Sequence, residues 1–278
     1  MIGVTGATGF IGSHLMQALD ENGFQIDLRN STNEEIRDVI NGRGCRTIVH
    51  LANPTPSTLD ENSGSRGENV QNLANRLIDI IEPMQNIHII ALSSIRVYPN
   101  GLPCFTSKSP LNPIDDYGLG KIEMEETFKS SKHRVTALRC SSVQGIGLDG
   151  LPRGVVGVFA KQFHEKRMLN IMGDGLATKD LIHVENLVSL LVKLASMGAP
   201  ETDVFLPVGG GSPLTVTKLA ELFIYGTDCK TETIEPANFE LSGSVDNSEI
   251  MSYIDWAPTW SIGNMVEESL SATRGAAQ

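Results

Sequence analysis

Apolar residues recur along this chain at two different spacings. Short apolar runs, typical of buried strands, alternate with longer segments in which apolar residues stand three or four positions apart, the period of an amphipathic helix. The runs predict strands over 2–4, 24–28, 47–52, 87–92, 135–139 and 204–208, and the longer segments predict helices over 10–19, 33–41, 69–81, 116–126, 155–163, 185–197 and 215–225 and from 262 onward. Because strands that alternate with helices pair in parallel, the pattern predicts an α/β protein with a doubly wound parallel sheet.

Length and composition set limits on this fold. With 278 residues, of which 40% are hydrophobic, the chain can bury the core of one doubly wound domain with a smaller mixed appendage. It has no apolar run of the roughly 18 residues that a membrane span requires. Its N-terminus begins with a core strand and lacks the basic segment of a secretion signal.

Charge and cysteine content narrow the choice of partners. The formal net charge of -11 and a pI near 5.0 argue against nucleic acid or an anionic membrane as the main partner. Cys45, Cys104, Cys140 and Cys229 lie far apart with no C-x-x-C pair, so neither a disulfide framework nor a metal site is expected. A reduced, cytoplasmic setting fits best.

Three glycines separate the first strand from the first helix. Gly6 suits the positive φ of a tight turn, Gly9 lets a ligand approach the backbone, and Gly12 lets the helix lie close to the strand. The N-terminus of that helix offers unpaired N–H groups and a partial positive charge, which suit a pyrophosphate. The spacing is G-x-x-G-x-x-G rather than G-x-G-x-x-G, so the turn alone is compatible with a purely structural role.

Tyr117 and Lys121 are the main candidates for acid–base chemistry. Positions four apart on a helix share a face, so the phenol and the ammonium group can serve one ligand. A free tyrosine has a pKa of ~10, and an adjacent cation lowers that pKa towards neutrality. Ser94 follows a predicted strand, where its hydroxyl can hold the same substrate oxygen or simply cap a turn.

These segments, in their order along the chain, resemble one known family. The family is the NAD-dependent epimerase/dehydratase family, the extended short-chain dehydrogenase/reductases. Its motifs are similar to TGATGFIG, TIVHLAN, LSSIRVYP, the Y-x-x-x-K segment, KDLIHVEN and a C-terminal WAP segment of this chain. The resemblance implies a Rossmann domain over 1–150 with 176–208 and a discontinuous substrate domain over 151–175 with 209–278. It also implies a nucleotide-sugar substrate, and a homodimer formed through helices like those at Asn69 and Tyr117.

The resemblance assigns functional residues as well. Ser94, Tyr117 and Lys121 would be catalytic, and Lys121 would also grip the nicotinamide ribose. The cofactor would be bound by residues of the glycine turn, the second and third strand ends and the helical pair: Gly6, Thr8, Gly9, Phe10, Ile11, Arg29, Leu51, Ala52, Tyr117 and Lys121.

The choice between NADP and NAD depends on the end of the second strand. Arg29 suits the 2′-phosphate of NADP, which makes NADP slightly favoured. Asp27, only two residues earlier, would instead suit the ribose hydroxyl of NAD if the strand ends sooner. The stretch FQIDLRNS is short, and whether it condenses two strands into one stays open.

Four further residues and one loop carry expectations of their own. His50 is expected to be packed in its strand, since no second ligand stands at metal-binding spacing to it. Asn69 is expected to open its helix, where capping and support of catalysis are equally open roles, and Asp180 and His183 are expected to be structural. The loop over 53–67 is long enough to act as a flap over a substrate, and simple disorder would explain its composition equally well.

Departures from the family motifs bear on the reaction. Ile95 and Arg96 stand where the family's dehydratases carry an Asp-Glu pair, so 4,6-dehydration ranks last. Ser142 and Gln144 replace the usual Asn and Tyr, which leaves the sugar contacts open. A 4-ketoreductase that consumes NADPH is weakly favoured over an epimerase that retains NAD. The alternatives are a reductase of a small non-sugar carbonyl compound and a non-catalytic dinucleotide-binding regulatory protein.

Overall fold

A computed structural model describes residues 1–53, 65–235 and 241–275. Most of the predicted flap, residues 54–64, lies outside the described residues. The helices are α1 (Phe10–Leu19), α2 (Asn33–Gly42), α3 (Arg66–Ile81), α4 (Asp116–Lys129), α5 (Gly154–Lys166), α6 (Val184–Met197), α7 (Val216–Ile224), α8 (Ser248–Tyr253) and α9 (Ile262–Gly275). The strands are β1 (Ile2–Thr5), β2 (Gly23–Ile26), β3 (Thr47–His50), β4 (His88–Ser94), β5 (Cys104–Phe105), β6 (Arg134–Cys140), β7 (Ser142–Ile146), β8 (Pro152–Arg153), β9 (Met168–Met172), β10 (Thr178–Lys179), β11 (Leu181–His183), β12 (Val204–Val208), β13 (Leu214–Thr215), β14 (Lys230–Ile234) and β15 (Ser244–Val245).

A six-stranded sheet combines five strands from residues 1–140 with β12, in the strand order β12-β6-β4-β3-β1-β2. β1 pairs in parallel with β2 and β3, and β4 pairs in parallel with β3 and β6. A helix separates each strand of this sheet from the next one along the chain, as parallel pairing requires. The predicted doubly wound α/β fold is thereby confirmed.

The sheet ends at β2, which resolves the question about FQIDLRNS. The dinucleotide fold has the order 3-2-1-4-5-6, whereas no strand among the described residues pairs with the outer side of β2. The stretch therefore holds one strand, and that strand stops at Ile26 instead of the predicted residue 28. Asp27 ends it, because its carboxylate accepts the N–H groups of Arg29 at 2.9 Å and Asn30 at 3.1 Å and turns the chain.

The helix α3 begins earlier than predicted. The Ser65 hydroxyl accepts the N–H of Glu68 at 3.1 Å, and the Glu68 carboxylate accepts the N–H of Ser65 at 2.8 Å, which forms a capping box. The helix therefore starts at Arg66. Asn69 was wrongly expected to open it and instead lies in its first turn, where its amide donates to the Ser65 carbonyl at 2.9 Å.

One face of the sheet is covered by α2, α3 and α4, which share an apolar core with β2, β3, β4 and β6. α3 and α4 approach each other closely at two glycines, since a Cβ added to Gly120 would lie 2.4 Å from the Cα of Gly67. This approach sets the first turns of both helices side by side.

The chain divides into two compact units. The first comprises Met1–Pro99, Ser107–Cys140 and Val188–Pro207, and the second comprises Asn100–Thr106, Ser141–Leu187 and Val208–Gln278. In the second unit α5, α7 and α9 enclose a separate apolar core with β9 and β11. The sequence-based domain boundaries differ from this division at 100–106, 141–150, 176–187 and 208, and their functional assignment stays a prediction. None of the described helices is both long enough and apolar enough to cross a membrane.

Candidate active site

The glycine-rich turn joins β1 to α1 as the sequence predicts. Gly6 has φ +68°, and its carbonyl accepts the N–H of Gly9 at 3.0 Å. At Gly12 an added Cβ would lie 2.1 Å from the Gly6 carbonyl oxygen, so only glycine lets α1 pass this close to the turn. The turn and packing roles of Gly6 and Gly12 are confirmed, and ligand approach at Gly9 stays a prediction.

The residues that follow β3 lie against this turn. Leu51 donates its N–H to the Thr5 carbonyl at 3.2 Å, and Ala52 donates its N–H to the Thr5 hydroxyl at 3.1 Å. A Cβ added to Gly6 would stand 2.8 Å from the Leu51 carbonyl oxygen. The structure thus brings Gly6, Leu51 and Ala52, which the family resemblance assigns to cofactor binding, to one place.

The start of α1 suits a diphosphate. Within the described chain no side chain caps this helix, and its first turn holds no acidic residue. Thr8 and Gly9 are exposed beside it, while Phe10 and Ile11 are half-buried. Because the first N–H groups of a helix lack intrahelical partners, they attract an anion. These residues fit the diphosphate of a nicotinamide dinucleotide.

The turn after β2 places a carboxylate near the glycine turn. Ile26 pairs with Thr5, so Asp27 follows its strand at the same level as Gly6 follows β1. Hydrogen bonds from the Asn30 side chain and from the N–H groups of Arg29 and Asn30 lower the pKa of Asp27. Asp27 is therefore an ionised acceptor where a carboxylate meets the adenosine ribose in this fold. Arg29 is exposed two residues further on.

Arg76 of α3 holds this turn from the neighbouring layer. Its guanidinium donates to the Leu28 carbonyl and, at 2.5 Å, to the Ser31 carbonyl, and its Nε donates to Asn33 Oδ1 at 3.2 Å. One arginine thus satisfies the acceptors of a turn that lies at the edge of the sheet.

Ser94 ends β4 and begins a short 3-10 turn. Its Oγ accepts the N–H of Arg96 at 3.2 Å, so it caps the turn, which is one of its two predicted roles. That hydrogen bond does not use the hydroxyl proton, which can still be donated to a substrate oxygen. Both predicted roles are therefore compatible in one side chain.

The helix α4, which carries the Y-x-x-x-K pair, is held against this turn. Asp115 caps α4 by accepting the N–H of Gly118 at 2.8 Å, and it also forms an ion pair with Arg96. A Cβ added to Gly118 would lie 2.2 Å from the Arg96 carbonyl oxygen. The first turn of α4 therefore touches the turn that begins at Ser94.

Lys121 is buried and anchored to β4. Its Nζ donates to the Leu92 carbonyl at 2.7 Å, and the residue is 3% exposed. Burial, and then the charge of Arg66, lower the pKa of Lys121 to about 7, while Glu125 opposes the change. At neutral pH Lys121 is therefore a weaker positive partner for Tyr117 than the sequence implies.

Tyr117 has a closer cation than Lys121. The guanidinium carbon of Arg66 lies 3.9 Å from the centroid of the Tyr117 ring, whereas Lys121 Nζ lies 5.7 Å from it. Burial raises the pKa of Tyr117, and Arg66 is the strongest influence in the opposite direction. Sequence reasoning missed Arg66, which it placed in the loop before the helix.

A buried ion pair supports α4 one turn beyond Lys121. Glu125 Oε2 is 2.8 Å from the guanidinium of Arg139, and its other oxygen accepts the Ser93 hydroxyl. Arg139 also donates to the Tyr98 hydroxyl at 3.3 Å. Burial disfavours the charge of Arg139, but the hydrogen bonds and charge of Glu125 more than offset it and raise the pKa of Arg139. The residue before Ser94 is thus tied to α4.

His50 is packed within β3, as predicted. Its Nδ1 lies 3.0 Å from the Thr5 hydroxyl, and its ring meets the edge of Phe128 at 5.2 Å. Burial and, to a smaller extent, the charge of Lys121 lower the pKa of His50 to about 3. Across the described ranges, no cluster of His, Cys, Asp and Glu could hold a metal ion.

In the second unit, Ser142 and Gln144, which stand where the family usually has Asn and Tyr, form a hydrogen bond with each other. Gln144 donates to the Ser142 hydroxyl at 2.9 Å and accepts the N–H of Val156 at 3.0 Å, at the start of α5. These side chains position the start of α5.

Asp180 and His183 have structural contacts within the same unit. Asp180 accepts the N–H groups of Gly211 at 2.9 Å and Val245 at 3.0 Å, and burial raises its pKa. His183 stacks on Trp260 with 3.6 Å between ring centroids.

Comparison with known proteins assigns the chain to a family. The model of the NAD-dependent epimerase/dehydratase family matches residues 2–205. The chain belongs to this family. It is therefore an enzyme of the NAD-dependent nucleotide-sugar epimerase and dehydratase type.

Relatives of this family member match it over most of their length. A candidate UDP-glucose 4-epimerase of Methanocaldococcus jannaschii is 28% identical over 268 residues, which cover 84% of this chain and 85% of the relative. The solved UDP-glucose 4-epimerase of Thermotoga maritima with UDP-glucose is 22% identical, with a TM-score of 0.83, and covers 100% of this chain and 99% of its own. A UDP-glucuronic acid 4-epimerase of Bacillus cereus, solved with UDP-glucuronic acid and NAD, is 18% identical, with a TM-score of 0.82 and 99% of each chain covered. At these identities the solved structures show the shared fold.

Two residues beside the site could have been found from the sequence. The S-x-x-E pattern from Ser65 to Glu68 is a capping-box signature, and it would have placed Arg66 in the first turn of α3. Glu125 stands four residues after Lys121 and therefore on the same face of α4. The stacking of Arg66 on Tyr117 has no local signal, because the two residues lie on different helices.

Proposed function

We propose that this family member is a 4-epimerase of a nucleotide-activated sugar that retains NAD and uses Ser94, Tyr117 and Lys121 as its reaction site. The observation that carries the proposal is the contact of α4 with the end of β4: Lys121 reaches the Leu92 carbonyl, two residues before Ser94. The glycine turn leaves the same, carboxyl-terminal end of the parallel sheet, where ligands bind in such folds.

Each side chain has a distinct task in this reaction. Tyr117 takes the proton of the sugar 4-hydroxyl and later returns it to the oxygen of the ketone. Ser94 donates a hydrogen bond to that same oxygen. A bound NAD would supply the hydride acceptor for C4 of the sugar, and inversion would follow from return of the hydride to the opposite face of the ketone. Lys121, anchored on Leu92, holds the nicotinamide ribose and fixes the orientation of the reacting groups.

The choice of NAD rests on Asp27. Its ionised carboxylate follows β2 directly and lies level with the glycine turn, which suits a ribose diol and repels a 2′-phosphate. The Bacillus cereus relative was solved with NAD, and the named relatives are 4-epimerases, which supports the same assignment.

One observation favours a second candidate. Arg29 is exposed two residues after Asp27, where a rotation of its side chain would serve a 2′-phosphate. An NADPH-dependent 4-ketoreductase is therefore the alternative. The two functions differ in an observable way, since an epimerase retains its dinucleotide and a reductase releases the oxidised form after each turnover.

The experiment uses the purified full chain. We expect mass spectrometry of the denatured protein to reveal retained NAD, and UDP-glucose or UDP-glucuronic acid, the sugars of the two solved relatives, to be converted to their 4-epimers. Tyr117→Phe should reduce turnover by at least ~100-fold, because general acid–base catalysis contributes this much. NAD affinity should be nearly unchanged.

A matched substitution controls for the loss of a phenol. Tyr225 is 91% exposed, so Tyr225→Phe should leave turnover at the wild-type rate. Wild-type turnover in Tyr117→Phe would remove Tyr117 from the reaction. Oxidation of NADPH without epimerisation would replace the epimerase with the ketoreductase.

A further inference from the structure

Arg66 is a charged side chain at the proposed reaction site that the reaction itself does not use. Its guanidinium carbon lies 3.9 Å from the centroid of the Tyr117 ring, which is a close cation–π contact. The residue is half-buried, and its Nε is enclosed without a hydrogen-bond partner among the described residues. The ring of Tyr117 is therefore in direct contact with this guanidinium.

We propose that Arg66 is a positioning residue for Tyr117, which holds the phenol ring in place and supplies the positive charge that a phenolate requires. Its consequence for turnover rests on the proposed function. The contact and the charge can be tested without turnover.

The first turn of α3 is built to hold Arg66 in this position. The carboxylate of Asp116, the residue before Tyr117, accepts the N–H of Gly67 at 2.6 Å and the hydroxyl of Ser65 at 2.9 Å. It therefore binds the residues on both sides of Arg66. A Cβ added to Gly67 would lie 2.4 Å from the Asp116 carbonyl oxygen, so the two backbones are in direct contact.

Lys121 cannot supply the same charge as strongly. Its Nζ is committed to the Leu92 carbonyl at 2.7 Å and is 5.7 Å from the Tyr117 centroid. Burial and Arg66 lower the pKa of Lys121 to about 7, so a large fraction is neutral at physiological pH. An arginine keeps its charge throughout this range.

The other charged or titratable groups that face Tyr117 act less strongly. Arg96, in the turn after β4, also favours the phenolate, but its own charge is paired with Asp115. Cys140, at the end of β6, acts in the opposite direction. Arg66 is thus the largest charge that counters the effect of burial on the pKa of Tyr117.

The test is a titration of the tyrosine rings by NMR in protein labelled with 13C at the phenol carbon. The chain has four tyrosines, and Tyr117→Phe identifies the signal of Tyr117. Arg66→Met keeps a long side chain and removes the charge, so we expect the pKa of Tyr117 to rise by about 1. Arg66→Lys keeps a charge and should restore most of the wild-type value.

Two controls separate the charge from general packing. Arg43→Met removes a guanidinium that lies 5.1 Å from the Phe24 ring, and it should leave the Tyr117 signal unchanged. Ser65→Ala leaves every charge in place but removes a hydroxyl that ties the start of α3 to Asp116, so it should shift the signal in the same direction as Arg66→Met and by less. It also serves if Arg66→Met fails to fold.

The possible outcomes are distinct. An unchanged pKa of Tyr117 in Arg66→Met, or an equal rise in Arg66→Met and Arg66→Lys, would overturn the proposal. Turnover of UDP-glucose by the same proteins is measured in parallel, and about tenfold slower turnover at pH 7 is expected for Arg66→Met, since one pKa step is a tenfold change in phenolate. The pKa of Tyr117 could also rise in Arg66→Met while the wild-type protein shows no epimerase activity. That result would contradict the proposed function and leave the role of Arg66 intact.

Discussion

Glu125→Gln should destabilise the first compact unit far more than the loss of an exposed ion pair. Glu125 and Arg139 are paired at 2.8 Å, with side chains that are 2% and 6% exposed. The glutamine keeps the shape and an acceptor oxygen for Ser93, but it leaves the guanidinium buried without a counter-charge. The cost of that unpaired charge dominates the effect.

The expected loss follows from this burial. Removal of one partner of a buried ion pair typically costs ~3–5 kcal/mol. Because glutamine retains part of the hydrogen bonding, the lower end of that range, about 3 kcal/mol, is expected here. With a urea dependence of roughly 1–3 kcal/mol per molar, the unfolding midpoint should fall by about 1–3 M.

The measurement is urea unfolding followed by far-UV circular dichroism. Trp256 and Trp260 are the only tryptophans, and both lie in the second unit, so fluorescence reports that unit and circular dichroism is needed for the first. Lys132→Met is the control. It removes an exposed pair with Glu82 whose side chains are 42% and 67% exposed, and it should cost less than ~1 kcal/mol.

The reasoning would be refuted if Glu125→Gln and Lys132→Met shifted the midpoint equally. A double variant provides a second check. Glu125→Leu combined with Arg139→Met replaces both charges with apolar side chains, and it should recover much of the lost stability, because an apolar pair avoids the desolvation of two ions.

Two further predictions concern the coenzyme and acid stability. Asp27→Ala should weaken NADH binding more than NADPH binding, whereas Arg29→Ala should weaken NADPH more, as measured by calorimetry; equal effects of each on both coenzymes would show that the ribose is recognised elsewhere. The pKa of His50 is lowered to about 3 in the folded protein, whereas an unfolded histidine has a pKa of ~6.5. Between these values only the unfolded chain binds the proton. The free energy of unfolding should therefore fall as the pH drops below about 6.5. His50→Gln should reduce the pH dependence of the free energy of unfolding, by up to about 1.4 kcal/mol per pH unit. Urea unfolding between pH 7 and 5 measures this dependence, and an unchanged slope would exclude His50 as its source.

The sequence predicted the elements whose limits are set by local chemistry. α1 begins as predicted, because Gly6 forms the turn before it and Gly12 lets the helix pass close to that turn. β2 ended two residues early, because the side chain of Asp27 competes for the backbone N–H groups that follow it. The start of α3 was missed because the capping box at Ser65 was read as loop composition.

The partners of the candidate site residues were harder to predict from the sequence. Spacing placed Tyr117 and Lys121 on one helix face, but it could not reveal that burial removes much of the lysine's charge. Arg66 and Arg139 act across separate elements, and such contacts depend on the packing of helices and strands. The local motifs therefore found the side chains of the proposed reaction site and missed partners that reach them from other elements.

The early end of the sheet at β2 has a practical consequence for protein engineering. The segment proposed to meet the adenosine is the turn between β2 and α2, which Arg76 holds, and no strand in the described parts of the chain pairs beyond β2. Its residues can be exchanged for those of another coenzyme class without breaking a ladder of main-chain bonds. This chain is accordingly a suitable scaffold for switching cofactor preference by a short loop graft.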